Sequence, residues 1–138
     1  MSVLALDRLS VDFDGRPALA DISLEIAAGE IVALVGESGS GKSTLALASL
    51  GLLPGTAHVT GTVRIDGDDL AAMDAHRLSA VRGGRVGMVF QDPASALNPA
   101  LTVGRQIGEV LARHTDLDRR AIRQQVVELL DRVGLDVA

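Results

Sequence analysis

The chain has no cysteine, tryptophan or tyrosine, and only two phenylalanines, Phe13 and Phe90, in 138 residues. Without thiols there is no disulfide framework and no thiolate metal site, and a reducing compartment is allowed. Long apolar runs are missing as well. The longest, Leu45 to Leu53, is broken by Ser49 and Gly51 and falls far short of the roughly 20 residues that span a bilayer. Met1 to Asp12 carries Asp7, Arg8 and Asp12 and lacks the basic start and apolar centre of a signal peptide. An excess of basic residues is also absent. The net charge of −5 argues against broad electrostatic binding to DNA or RNA, so no nucleic-acid partner is expected. The histidines His58, His76 and His114 stand at no metal-ligand spacing.

What is present is a folding composition: 47% hydrophobic, 22% charged and 15 glycines, with strand-like and helix-like segments alternating, which predicts an α/β domain. Its centre is Gly36-Glu37-Ser38-Gly39-Ser40-Gly41-Lys42-Ser43-Thr44. The string satisfies G-x-x-x-x-G-K-[ST] and lies between an apolar run, Ile31 to Val35, and helix-forming residues from Leu45 to Leu53. Glycines at 36, 39 and 41 allow left-handed backbone that turns N–H groups toward one point. A following helix aims its own unpaired N–H groups at the same point, and Lys42 adds a positive charge. This is a loop for phosphate. On the chemistry of a nucleoside triphosphate, N–H groups from Gly39 to Thr44 would cradle the β-phosphate. Lys42 would span the β- and γ-phosphates, Ser43 would ligate Mg²⁺, and Thr44 would reach the α-phosphate. Glu37 is a loop member with no side-chain chemistry assigned.

Around the loop, Val3 to Phe13 predicts a strand closed by a turn at Asp14-Gly15. Asp21 to Ile26 alternates, with Ile22, Leu24 and Ile26 toward a core, and Ala28-Gly29 turns the chain. Ile31 to Val35 and Val86 to Phe90 do not alternate and read as parallel strands buried on both faces, with Phe90 in the core. Pro54-Gly55 should end the first helix. Val59 to Asp66 alternates again, with Val59, Val63 and Ile65 on one side, and closes at Asp66-Gly67. A short helical piece runs from about Asp74 to Val81; Arg77, Arg82 and Arg85 near it form a solvated basic face. Beyond Pro93 and Asn98-Pro99, Thr102 should cap a helix with Val103, Ile107, Val110 and Leu111 on one stripe. Arg113 and His114 then suit its C-terminal end. A last helix from about Leu117 stacks Ile122, Val126, Leu129 and Val133, and Gly134 with Leu135 ends it.

The order Asp21-Ile22-Ser23-Leu24, Ala28-Gly29-Glu30, the loop at 36–44, and then Val89-Phe90-Gln91-Asp92-Pro93 resembles the start of an ATP-binding cassette (ABC) transporter ATPase. The stretch from Gln91 through Asn98-Pro99 to Leu101-Thr102-Val103-Gly104 is similar to the peptide and nickel uptake branch. The resemblance implies a P-loop NTPase of the ABC nucleotide-binding type. Residues 1–91 would be the N-terminal part of the ATPase core, and 92–138 the glutamine-loop region with the start of a helical subdomain. It implies ATP and Mg²⁺ as ligands, and Gln91 near Mg²⁺ and the attacking water, making Lys42 and Gln91 the catalytic candidates. It also implies an aromatic platform for adenine at Phe13, where the family more often carries tyrosine.

The implied partners are transmembrane permease subunits, a second ATP-binding subunit and, indirectly, a solute-binding protein. The implied location is the cytoplasmic face of the inner membrane. Members of this family continue past the helical subdomain into a Leu-Ser-Gly-Gly-Gln-type signature, an acidic strand end with a catalytic glutamate, and a switch histidine, none of which occurs in these 138 residues. The expectation is therefore an N-terminal part that binds ATP without hydrolysing it efficiently. The alternatives are a soluble P-loop enzyme, such as a nucleotide kinase, and a cassette ATPase that serves no transporter. The Asn-Lys-x-Asp string of a GTPase is absent.

Overall fold

A computed structural model of the chain describes residues 2–92 and 96–135. By compactness it divides into two units, 1–78 and 79–138, with the division falling inside helix α2. Pro93, named above as a loop boundary, lies outside the described residues.

The first unit is built on a four-stranded antiparallel sheet in the order β2-β1-β3-β4. Its strands are β1 (Ser2–Phe13), β2 (Arg16–Ala27), β3 (Ala57–Ile65) and β4 (Asp68–Asp69). Asp14 and Gly15 both take positive φ, 50° and 78°, the two-residue turn whose twist matches a right-twisted hairpin. Asp66 and Gly67 repeat it at 51° and 86°. β2 alternates as expected, with Ile22, Leu24 and Ile26 half-buried and Asp21, Ser23 and Glu25 exposed.

The sheet is not regular, and serines manage its irregularities. Between Asp7 and Ser10 on β1, three steps face two on β3, so β1 bulges at Arg8, whose φ is 47°. β2 bulges in turn near Asp21, whose φ is 52°. Each bulge frees a backbone N–H from the ladder. Arg8 N donates to Ser23 Oγ at 3.0 Å and Asp21 N to Ser10 Oγ at 2.9 Å, so neither donor is left unmet. Val59, predicted to share a face with Val63 and Ile65, is 48% exposed although it pairs with buried Val11, whereas Val63 and Ile65 are buried. Leu6, Leu9, Val11, Leu19, Val63 and Ile65 form the buried face.

Helix α1 spans Lys42–Ala48 and ends earlier than predicted. Gly51 at φ 62° lets Leu52 N reach Leu47 O at 2.9 Å and Gly51 N reach Ala48 O at 3.0 Å. This paired closure satisfies the last carbonyls, so the helix has stopped before Pro54-Gly55. A 3₁₀ turn, Leu70–Ala72, is capped by Asp69. Helix α2 (Ala75–Gly84) starts on Asp74, which accepts from Arg77 N at 2.8 Å, and breaks at Gly83, φ 94°.

In the second unit α3 (Val103–His114) starts on Thr102, which accepts from Arg105 N as predicted. α4 (Arg119–Arg132) starts on Asp118, which accepts from Arg120 N and Ala121 N. Gly134 (φ 75°) closes α4 in the same paired manner as Gly51 closes α1. The apolar stripes are narrower than read: Val103 is 39% exposed, Val110 56% and Val133 70%. Glycines explain part of this. A Cβ at Gly104 would stand 3.4 Å from Val126 Cγ1, and one at Gly108 3.6 Å from Ile122 Cγ2. α4 therefore packs on the glycine side of α3, with Ile107 and Leu111 half-buried and the valines turned outward.

Two expectations are corrected. Residues 31–35 form no strand, with Ile31 97% and Val35 85% exposed; Val86 to Phe90 makes only an isolated bridge, Arg82 with Val86, leaving Val89 95% and Phe90 45% exposed. Phe90 is therefore not a core residue here. A parallel strand needs hydrogen-bonding neighbours and cover on both faces, and among the described residues neither segment has them.

Candidate functional site

The chain leaves β2 through a turn at Ala28-Gly29, where Glu30 accepts from Ala27 N through Oε2 at 2.7 Å. It reaches Gly36 as irregular, exposed backbone. From there the loop folds on itself. Ser40 N donates to Glu37 O at 3.2 Å, and Gly39 and Gly41 take φ of 82° and 89°, a conformation that costs other residues about 1 kcal/mol or more each. A Cβ at Gly36 would meet Ser40 Oγ at 2.8 Å, so this glycine makes room for the serine.

Lys42 is the loop's internal tie. Its Nζ donates to Gly36 O at 2.9 Å, Glu37 O at 2.6 Å and Ser40 Oγ at 3.3 Å. All three bonds point back into the loop, so the charge is held over the glycine backbone rather than extended into water. Ser43 is exposed and Thr44 half-buried, and neither side chain has a partner among the described residues. The N–H groups opening α1 have no intrahelical acceptor.

The sheet positions this loop. A Cβ at Gly41 would stand 2.8 Å from Leu19 Cδ2 and 2.9 Å from Ala18 O, so the end of the loop rests on β2 near the β1–β2 hairpin. Phe13 closes that hairpin. It is half-buried and lies opposite Arg16 on β2 and Ala57 on β3. Val11 is two residues back, opposite Leu19, and residues two apart on a strand share a face. Phe13 therefore stands on the sheet face that the loop leans against. The structure brings together Gly36, Glu37, Ser38, Gly39, Ser40, Gly41, Lys42, Ser43 and Thr44, with Phe13 at the margin of the sheet beneath them. Gln91 belongs to the second unit, where it is exposed and its amide has no partner among the described residues.

Sequence reasoning passed over Gln106. Its Oε1 accepts from Asn98 N at 2.9 Å, and its Nε2 donates to Asn98 O and Leu101 O, both at 3.1 Å. The side chain thus fastens the Asn98-Pro99 loop to α3. The available signal was a glutamine one turn inside a helix that follows a polar loop, which is too common a pattern to single out.

The family model described as ABC transporter matches residues 19–138. An oligopeptide transport ATP-binding protein of Mycobacterium tuberculosis is 47% identical over 138 residues, covering 96% of this chain and 22% of the relative. One of the same description from Lactococcus lactis subsp. cremoris is 41% identical over 121 residues, covering 87% and 36%. An uncharacterized ABC transporter ATP-binding protein of Escherichia coli is 43% identical over 140 residues, covering 97% and 26%. The chain thus spans between 22% and 36% of these relatives' lengths. Among solved structures, a dimeric ATP-binding cassette in a post-hydrolysis state, bound to ADP and Pi, superposes with a TM-score of 0.78 at 27% identity, over 96% of this chain and 58% of that one. A protein of Clostridium perfringens that is part of an ABC transporter complex gives 0.71 at 29% identity, over 98% and 51%. The family match begins inside β2 and takes in the loop, Gln91 and both later helices, so the chain belongs to the ABC transporter family.

Proposed function

We propose that this chain is the nucleotide-gripping part of an ATP-binding subunit that energises a membrane importer of peptides or related small solutes. The observation that carries the reading is Lys42, whose ammonium is drawn back over a glycine loop by Gly36 O and Glu37 O at 2.9 and 2.6 Å. A cation held there meets the oxygens of a polyphosphate lying in the loop, together with the N–H groups that open α1. In this reading Lys42 spans the β- and γ-phosphates, Thr44 reaches the α-phosphate, and Phe13 takes the adenine on its ring.

Magnesium would supply neutralisation of phosphate charge. The Ser43 hydroxyl, exposed and without a partner among the described residues, fits an oxygen ligand for that hard cation, and the Gln91 amide oxygen is the second candidate. Residues 1–91 hold nucleotide, while 92–138 carry the loop after Gln91 toward a permease subunit. Efficient hydrolysis then depends on groups outside these residues, including a second ATP-binding subunit. The names of the peptide-transport relatives support the solute class, and no described helix is long and apolar enough to cross a membrane. The place proposed for the subunit is the cytoplasmic face of the inner membrane, under its permease.

Calorimetric titration with Mg-ATP tests the first step. The protein is expected to bind, and Lys42→Ala to weaken binding by at least about tenfold, the scale of a lost charge-assisted contact. No binding at millimolar Mg-ATP by a folded protein would refute the reading.

A further inference from the structure

Residues 1–78 carry eleven acidic side chains and only five basic ones: Arg8, Arg16, Lys42, Arg64 and Arg77. An anionic ligand held here is therefore opposed by the unit's overall charge and must be met by local donors. Arg8 lies 3.6 Å from Asp7 and Arg77 lies 3.4 Å from Asp68, while Lys42 is already assigned to the β- and γ-phosphates. Arg64 pairs in register with Ala5, toward the start of β1 and away from the hairpin. That leaves Arg16, which is exposed and has no partner among the described residues. The neighbouring acid at Asp12 does not take it up, since its Oδ1 accepts from Gly15 N at 3.1 Å.

The backbone position of this arginine is fixed by the sheet. Arg16 lies directly across the two-residue turn from Phe13, and directly opposed residues of an antiparallel pair have their Cβ atoms about 5 Å apart on one face. Along β2 from Arg16, Ala18 and Leu19 are the residues on which Gly41 of the loop rests. Arg16 thus faces Phe13 and lies two to three residues along β2 from where the phosphate loop rests, on the same face of the sheet. Resting on the reading above, we infer that Arg16 is a nucleotide-binding residue, donating to the anionic oxygens of the phosphate chain at its base-proximal end. Guanidinium has five donors and no acceptor, and its planar fork matches phosphate. The turn holds its strand at a fixed register, and the exposed side chain sacrifices no protein contact to reach the ligand.

The experiment is equilibrium binding of Mg-ATP and Mg-GTP to the protein, to Arg16→Ala, Arg16→Lys and Phe13→Ala, with circular dichroism confirming the fold of each. Arg16→Ala is expected to weaken both nucleotides by the same factor, about tenfold for one charge-assisted contact. The lysine variant, which keeps the charge without the planar fork, should recover part of the loss. The ATP-to-GTP ratio should stay unchanged for Arg16→Ala and shift for Phe13→Ala. Unchanged affinity of Arg16→Ala would overturn the inference while leaving the nucleotide reading intact. A changed ATP-to-GTP ratio would also overturn it, by placing Arg16 on the base. If the parent protein binds neither nucleotide and Lys42→Ala is indistinguishable from it, the nucleotide reading itself fails.

Discussion

Gly61 shows how far a single residue constrains this sheet. Its φ is 89°, and a Cβ there would collide with Arg8 O, on the bulge of the neighbouring strand. Left-handed backbone and backbone contact add, because neither a rotamer change nor a side-chain shift relieves them. Gly61→Ala is expected to lower stability by about 2–4 kcal/mol, measured by urea denaturation. Gly55→Ala, where a Cβ meets nothing within 4 Å and φ is not positive, should change it by less than about 0.5 kcal/mol. The pair separates a glycine needed for its conformation from one that is only a turn residue. The two serines that accept the bulge N–H groups belong to the same scale. Nothing in the local string around Ser10 or Ser23 announces them, because their partners lie on the other strand.

At the scale of elements, α3 and α4 meet through absent side chains. Gly104 and Gly108 are four apart and face Val126 and Ile122, which lets the two backbones come close. Gly108→Leu should force the helices apart and cost about 1–3 kcal/mol of stability, whereas Val110→Ser, at a residue 56% exposed, should be nearly neutral. Equal effects in thermal melts would put the interface on the valine side after all. The amphipathic reading of α3 located the helix and its Thr102 cap correctly but placed Val103 and Val110 on the inner face. A count of apolar positions cannot distinguish a valine stripe from a glycine groove on the next face of the same helix.

For the whole molecule, the charge is unevenly spread. Residues 79–138 carry eight basic and seven acidic side chains, against five and eleven in 1–78. The acidic part is the one with the glycine loop, so on the proposed reading nucleotide affinity there would rest on Lys42, Arg16 and backbone donors rather than on long-range attraction. The proposed role also makes a prediction at this scale. In membranes containing cognate permease subunits, ATP turnover by the full-length subunit is expected to rise several-fold over the subunit alone, as when a partner completes a conformational step. A turnover indifferent to permease would favour a cassette ATPase that serves no transporter.

The sequence by itself determined whatever depends on neighbours along the chain. The hairpin turns at Asp14-Gly15 and Asp66-Gly67, the cap at Thr102, the stop at Gly134 and the glycine loop with Lys42 and Ser43 were all legible, because a few adjacent residues set the backbone angles they require. Tertiary structure alone decided what depends on residues brought from elsewhere. It placed the bulges and the serines that satisfy them, the glycine side of α3, and Arg16 beside Phe13 on the face where the loop rests. Residues 31–35 and 86–90 carry the composition of buried strands, yet the first stays exposed and the second makes no more than the bridge at Val86. A strand's hydrogen bonds belong to its neighbours, and no run of apolar residues supplies a neighbour.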